Sequence, residues 1–242
     1  MSGGTHDLSE LAAKLAFNRA SHLRKPRPEL DGQTGTHHGE RPVCSRFGAV
    51  TAGREASAKP GARDRILETA YELFARHCIQ AIGVDEIIRR AGVAKATFYH
   101  HFASKDDLVL EFLNLREERW TLAWIAGEAR HRANTPEGQL LTIFDLFDEW
   151  FHRDDFEADS FVNVLLELGP AHPAGRASIE HLGNVRAIVT QLAEEAGLRA
   201  TESFTRSWHI LMKGSIVCAA AGDREAAKRA QVMAKLLIEQ HR

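Results

Sequence analysis

The stretch from Gly83 to Leu108 constrains the fold of this chain more than any other: Gly-Val-Asp-Glu-Ile-Ile-Arg-Arg-Ala-Gly-Val-Ala-Lys-Ala-Thr-Phe-Tyr-His-His-Phe-Ala-Ser-Lys-Asp-Asp-Leu. Ile87, Ile88 and Ala91 give its opening residues an apolar helical face. Gly92 follows, and glycine enters the left-handed conformation that ends a helix without a Cβ penalty. Val93 can plug the turn, and Ala94 to His101 has the length of a second short helix. Ser104 with Asp107 forms a capping-box variant, so a further helix opens there, and Asp106 and Asp107 favour its positive end. Two short helices around a Gly-Val turn, locked to another helix, define a helix-turn-helix.

The second of those helices carries cationic, hydroxylic and aromatic groups where a solvated surface needs only charge. Lys95, Ala96, Thr97, Tyr99 and His100 lie on it, and Lys105 follows just beyond. A lysine can donate to guanine O6 or N7, and a threonine methyl can meet the methyl of thymine. Lys95 and Thr97 are therefore the candidates for base contact. Tyr99, His100 and Lys105 suit phosphate contacts that set register. Phe98 and Phe102 are expected to face the small core. Such a face on a helix-turn-helix fits a DNA major groove.

Upstream, Ile66, Leu67, Ala70, Leu73 and Phe74 make the i, i+3, i+4, i+7, i+8 stripe of a helix over about 62–77. Arg63 and Arg65 stand near its start, where the helix dipole disfavours them unless a phosphate is close. Taken in order, residues 62 to 110 resemble the DNA-binding domain of the TetR-type (TetR/AcrR) transcriptional regulators. Arg65 to Phe74 resembles its first helix, Val84 to Ile87 opens its second, Ala91 to Phe102 resembles its turn and recognition helix, and Ser104 to Leu108 begins its fourth. Cys78, Gly83 and Ala94 depart from the residues frequent there: a glycine, a Ser or Thr cap, and a Ser cap. The resemblance implies a homodimer on a near-palindromic double-stranded operator. It also implies a small apolar or aromatic organic effector that weakens DNA binding by moving the fourth helix.

Charge is distributed unevenly. Residues 1–60 hold nine basic against six acidic side chains, residues 61–105 seven against five, and residues 106–242 fifteen against twenty-two. The acidic region is thus kept off phosphates, although the bias alone would not establish a nucleic-acid partner. Residues 1–60 are expected to be mostly a disordered extension, with one amphipathic stretch from Asp7 to Ala20. Residues 61–108 form the expected DNA-binding domain, and 109–242 a helical effector and dimer domain. No apolar run approaches the ~20 residues of a membrane helix. No secretory leader is apparent. Cys44, Cys78 and Cys218 are odd in number and far apart, which argues for a reducing cytoplasm.

The rest reads as helices. One continues from Ser104 through Phe112 to Trp124. Thr135-Pro136 caps and starts another that carries Phe144, Phe147, Trp150 and Phe151. An acidic loop spans 153–159. Helices are expected over 160–168, 174–196, 202–221 and 223–240, and the fold class is all-α. Phe147, Phe151, Phe161, Leu165, Trp208 and Met212 are the candidates to line an effector pocket. They lie on helices that the resemblance places around it, and His181 or His209 could serve as a polar anchor. Ile210, Leu211, Gly214, Ser215, Val217 and Cys218, with Ala226, Ala230, Met233, Leu236 and Leu237, make two stripes suited to a four-helix dimer seam. No phosphate loop, nucleophile elbow or zinc-spaced cysteine pair is present, so no catalytic residue, metal or cofactor is assigned.

Overall fold

The computed structural model describes residues 60–242. The stretch 7–20 and the extension through residue 59 lie outside the described residues. Every regular element among the described residues is helical: α1 (Ala62–Arg76), α2 (Val84–Ala91), α3 (Lys95–His101) and α4 (Lys105–Arg116), then a π-helical segment (Glu117–Glu128) running into α5 (Ala129–Arg132), α6 (Pro136–Phe151), α7 (Ser160–Leu168), α8 (Pro173–Glu195), α9 (Thr201–Ala220) and α10 (Ala226–Gln240).

The local signals act as their chemistry requires. Gly92 takes φ 63°, ψ 44° and ends α2. The Ser104 hydroxyl accepts from the Asp107 N–H at 3.1 Å, and Thr135 accepts from Gly138 N–H at 3.1 Å with Pro136 in the first turn of α6. Asp159 caps α7 by accepting from the Phe161 and Val162 N–H groups, and Gly169 (φ 77°) stops it. Helix α10 begins three residues later than its apolar pattern suggests. The Asp223 carboxylate accepts from the Glu225 N–H and holds Arg229, so Asp223 to Glu225 form a turn.

The one departure in type is the helix that leads out of the head. Its pattern reads as a plain α-helix through Trp124, yet from Glu117 the turns widen to π geometry. A π turn pairs residues five apart, and Trp120 and Ile125, five apart, are both buried.

Head and body share one apolar core. Ile66, Ala70, Leu73, Phe74, Ile87, Phe98, Phe102, Leu108 and Phe112 fill the head, which is α1 to α3 packed on α4. Phe144, Phe147, Val185, Val189, Phe204, Trp208 and Met212 fill the body. Each such side chain contributes roughly 1.5–3 kcal/mol by leaving water. The order fixes the positions that matter: α3 packs on α1 and α2, and α4 with the π-helical segment runs from the head into the body.

Candidate nucleic-acid interface and interior site

Burial of Ile87, Phe98 and Phe102 sets which way α3 faces. With Phe98 turned fully inward, Lys95, Ala96, Tyr99 and His100 are exposed and Thr97 is half-buried. The five residues named on this helix therefore share its outward side. Lys95 Nζ lies 3.4 Å from the exposed Asp85 carboxylate, a pair that water screens and a phosphate can displace. No side chain caps α3 at Ala94 or α2 at Gly83, as their residue types imply.

Three cations near this face are engaged within the protein. Lys105 Nζ donates to the Ile79 carbonyl at 2.5 Å. Burial lowers its ammonium, and Glu167 and Asp106 oppose that shift. Arg63 pairs with Glu111 at 2.7 Å and lies over the Phe102 ring. Arg65 donates to the carbonyls of Pro60 and Ala91. A positive charge at the start of α1 thus finds acceptors inside the fold as well as outward.

Sequence reasoning missed how the body holds the head. The Glu167 carboxylate, near the end of α7, accepts from the Ile79 N–H at 2.8 Å and the Gln80 N–H at 2.6 Å in the turn between α1 and α2. Arg76 and the buried Arg116 both reach Glu157, at 3.3 and 3.6 Å, and Arg116 also donates to the Tyr71 hydroxyl. The acidic segment 153–159, read from sequence as a loop, supplies Glu157 to these bonds, while its Asp159 turns to Lys213 in the body. No signal in the sequence joins Glu167 to residues 87 or 88 positions away; only the packing does.

In the body, Phe147, Phe151, Phe161, Trp208 and Met212 are buried, and Leu165 is half-buried against the same core. Phe147 meets Phe151 with ring centroids 5.7 Å apart, and Phe144 joins Phe147 to Trp208 at 6.2 and 5.2 Å. Phe161 packs on the His181 ring instead, at 5.1 Å. Trp120, Trp124 and Trp150, absent from the expected lining, pack against Phe147. Of the two histidines singled out, His181 Nδ1 lies 2.9 Å from Glu117 Oε2, at ion-pair distance but not aligned as a hydrogen bond. Burial, then the charges of Lys213 and Arg186, lower the His209 imidazole from 6.5 to about 4. Burial raises the Asp159 carboxyl, but the Lys213 ammonium at 2.5 Å and the Val162 N–H more than reverse this and hold it below the usual carboxylate range.

A helix-turn-helix head on an all-helical body has the architecture of a DNA-binding regulator. Residues 66–112 match the bacterial regulatory proteins of the tetR family. The HTH-type transcriptional regulator QacR of Staphylococcus aureus is 30% identical over 90 residues, covering 37% of this chain and 48% of QacR. The HTH-type transcriptional repressor KstR2 of Mycolicibacterium smegmatis is 33% identical over 85 residues, covering 35% of this chain and 39% of KstR2. The matched segments thus span less than half the length of these relatives. Over the longer span, a TetR-family transcriptional regulator from Streptomyces coelicolor superposes with a TM-score of 0.69 at 27% identity, covering 74% of this chain and 95% of that one. Residues 66–112 thus carry a DNA-binding domain like that of the tetR family, and the described residues share the fold of a TetR-family regulator. No helix among the described residues is long and apolar enough to cross a membrane.

Proposed function

We propose that the protein is a cytoplasmic transcriptional repressor that reads a near-palindromic operator as a homodimer and is released by a small organic effector. Residues 61–108 act as the DNA-binding domain and 109–242 as the effector and dimer domain. The outward face of α3, with Lys95, Ala96, Tyr99 and His100 exposed beside Thr97, carries this reading. Lys95 and Thr97 meet base edges; Tyr99, His100 and Lys105 meet phosphates. Effector binding among Phe147, Phe151, Phe161, Leu165, Trp208 and Met212 shifts the π-helical segment and α4, and with them the spacing of the two heads. Coupling of this kind is typically worth about 1–3 kcal/mol.

A second reading, a helical ligand-binding or adaptor protein without operator binding, has one observation behind it. Neither α2 nor α3 has a side-chain cap, so two hydroxyls that could meet a phosphate are missing. Selection from random duplexes at two salt concentrations separates the two. An enriched palindrome whose affinity falls steeply with salt supports the repressor. Weak binding blind to sequence sinks it and leaves the second reading.

A further inference from the structure

Side chains from five elements, α4, the π-helical segment, α7, α8 and α9, meet in one interior region. At the start of α7, Asp159 Oδ1 accepts from the Phe161 and Val162 N–H groups, at 3.0 and 3.1 Å. Its Oδ2 accepts from Lys213 Nζ of α9 at 2.5 Å. That ammonium lies 5.5 Å from the ring centre of Trp120 on the π-helical segment, and the Arg116 guanidinium lies 5.8 Å from the same ring. Three residues before Trp120, Glu117 accepts from Asn184 Nδ2 at 2.6 Å and stands 2.9 Å from His181, both on α8. The His181 ring packs on Phe161, which returns the circuit to α7.

Several polar atoms on these elements are buried without a partner: Trp120 Nε1, Thr121 Oγ1, Ser160 Oγ and Ser178 Oγ. Their residues are all more than nine-tenths buried. An unmet buried donor or acceptor costs about 1–3 kcal/mol, and folded proteins keep few of them. Four on these elements mark a place that is completed by something else.

Chemistry narrows what completes it. The indole N–H of Trp120 can only donate, and an ammonium can donate three times. The acceptors nearby are engaged: both Asp159 oxygens, and both Glu117 oxygens by Asn184 and His181. The indole N–H therefore needs an acceptor from elsewhere, and the three hydroxyls can donate to one as well. An anion could supply one, but Arg76, Arg116 and Lys213 are already paired with Glu157 and Asp159, and a further buried negative charge without a cation of its own would be costly. A cation would find the Asp159 and Glu117 oxygens taken and the Trp120 ring already beside two cations. An uncharged oxygen meets neither obstacle. Phe147, stacked on Trp120 at 6.0 Å and on Trp124 at 6.3 Å, supplies an aromatic wall beside it.

We infer that this region is the polar end of the effector site and takes an uncharged aromatic ligand bearing a carbonyl oxygen, which accepts from Lys213 and the Trp120 N–H. The inference rests on the effector-regulated reading above.

A matched set of naphthalenes tests it by calorimetry on the full chain: 2-acetylnaphthalene, 2-isopropylnaphthalene, 2-naphthoate and 2-naphthylmethylammonium. The ketone should bind at least about tenfold tighter than the isopropyl isostere, because a site built to donate is left unpaired by a hydrocarbon. Trp120→Phe keeps the ring and removes the N–H, and should bring the two within about twofold by weakening only the ketone. Lys213→Met with Asp159→Asn, which removes the ion pair as a unit, should do the same. Tightest binding of the naphthoate or the ammonium, equal binding of ketone and hydrocarbon, or no binding of any member overturns the inference. Operator selection on the same preparation separates the failures. A palindrome enriched alongside any of those results sinks the carbonyl site alone, and its absence sinks the repressor reading as well.

Discussion

At the residue scale, the groups that matter are those whose charge has two competing partners. Lys105 is one. Its ammonium holds the Ile79 carbonyl, and the proposed role on a phosphate requires a donor to spare. Lys105→Met should lower the salt slope of DNA binding by about one unit, as loss of one phosphate contact does. An unchanged slope with a lower melting temperature would make Lys105 a brace for the α1–α2 turn and nothing more. Lys95→Ala, in contrast, should relax sequence preference at one operator position at a cost of about 1–3 kcal/mol. His209 is the opposite case, a titratable group that burial leaves without a partner at Nε2. Its folded-state value lies near 4 against an ordinary 6.5. Its stabilising contribution is therefore complete above pH 6.5 and is lost as pH falls toward 4, because the unfolded chain takes up the proton first. The loss is at most about 3 kcal/mol, less because the side chain is only partly buried. Urea unfolding of His209→Leu should show a flatter slope between pH 6.5 and 4 than the parent. Equal slopes would place the imidazole in water.

At the scale of elements, α7 has two working ends. Asp159 at its start lies in the body's polar interior, and Glu167 at its end grips two backbone N–H groups of the head. A nine-residue helix that touches both is a route for coupling beside α4 and the π-helical segment. Glu167→Gln weakens two charge-assisted bonds, so the Ile79 and Gln80 amides should exchange with deuterium several-fold faster while those of α8 keep their rates. The corner after α7 is tighter still. A Cβ on Gly175 would stand 1.9 Å from the Gly169 carbonyl oxygen, a backbone atom that cannot swing away. Gly175→Ala should cost about 2 kcal/mol or more in stability, read from the denaturation midpoint, and a neutral result would mean the corner is open. Much of this was legible beforehand. Ile66 to Phe74, Gly92, Ser104, Thr135 and Gly169 act through neighbours within four residues, and such signals survive folding. The bond from Glu167 to Ile79 and Gln80, the Asp159–Lys213 pair and the π turns depend on partners brought together by packing. The aromatic residues showed the same limit. Composition marked them as core or pocket, but not that Trp120 and Trp124 would stand against Phe147 while Phe161 turned to His181.

For the whole molecule, the proposed homodimer needs a surface that meets a second copy, because two half-sites need two heads. The expected stripes on the last two helices divide. Ala226 and Ala230 turn inward with Ala234 and Ile238, so those positions belong to the core of one chain. Ile210, Val217, Met233 and Leu236 are between 53% and 71% exposed, and Gly214 and Cys218 lie on the outer side with them. Large apolar groups in that number on two adjacent helices are the usual mark of a protein interface. Ile210→Glu with Leu236→Glu should give a monomer by light scattering, with operator affinity reduced more than about tenfold because the second head no longer binds as part of the same particle. Gly214 offers a sharper test. In the single chain a Cβ there would meet nothing within 4 Å, and alanine in place of glycine inside a helix favours folding by about 1 kcal/mol. Gly214→Ala should therefore leave a lone chain as stable or more so. If α9 packs on α9 of a second copy across this small residue, the added methyl separates the helices and weakens the dimer several-fold, measured by sedimentation across a dilution series. A more stable chain with an unchanged dimer constant would move the seam toward Met233 and Leu236 on α10.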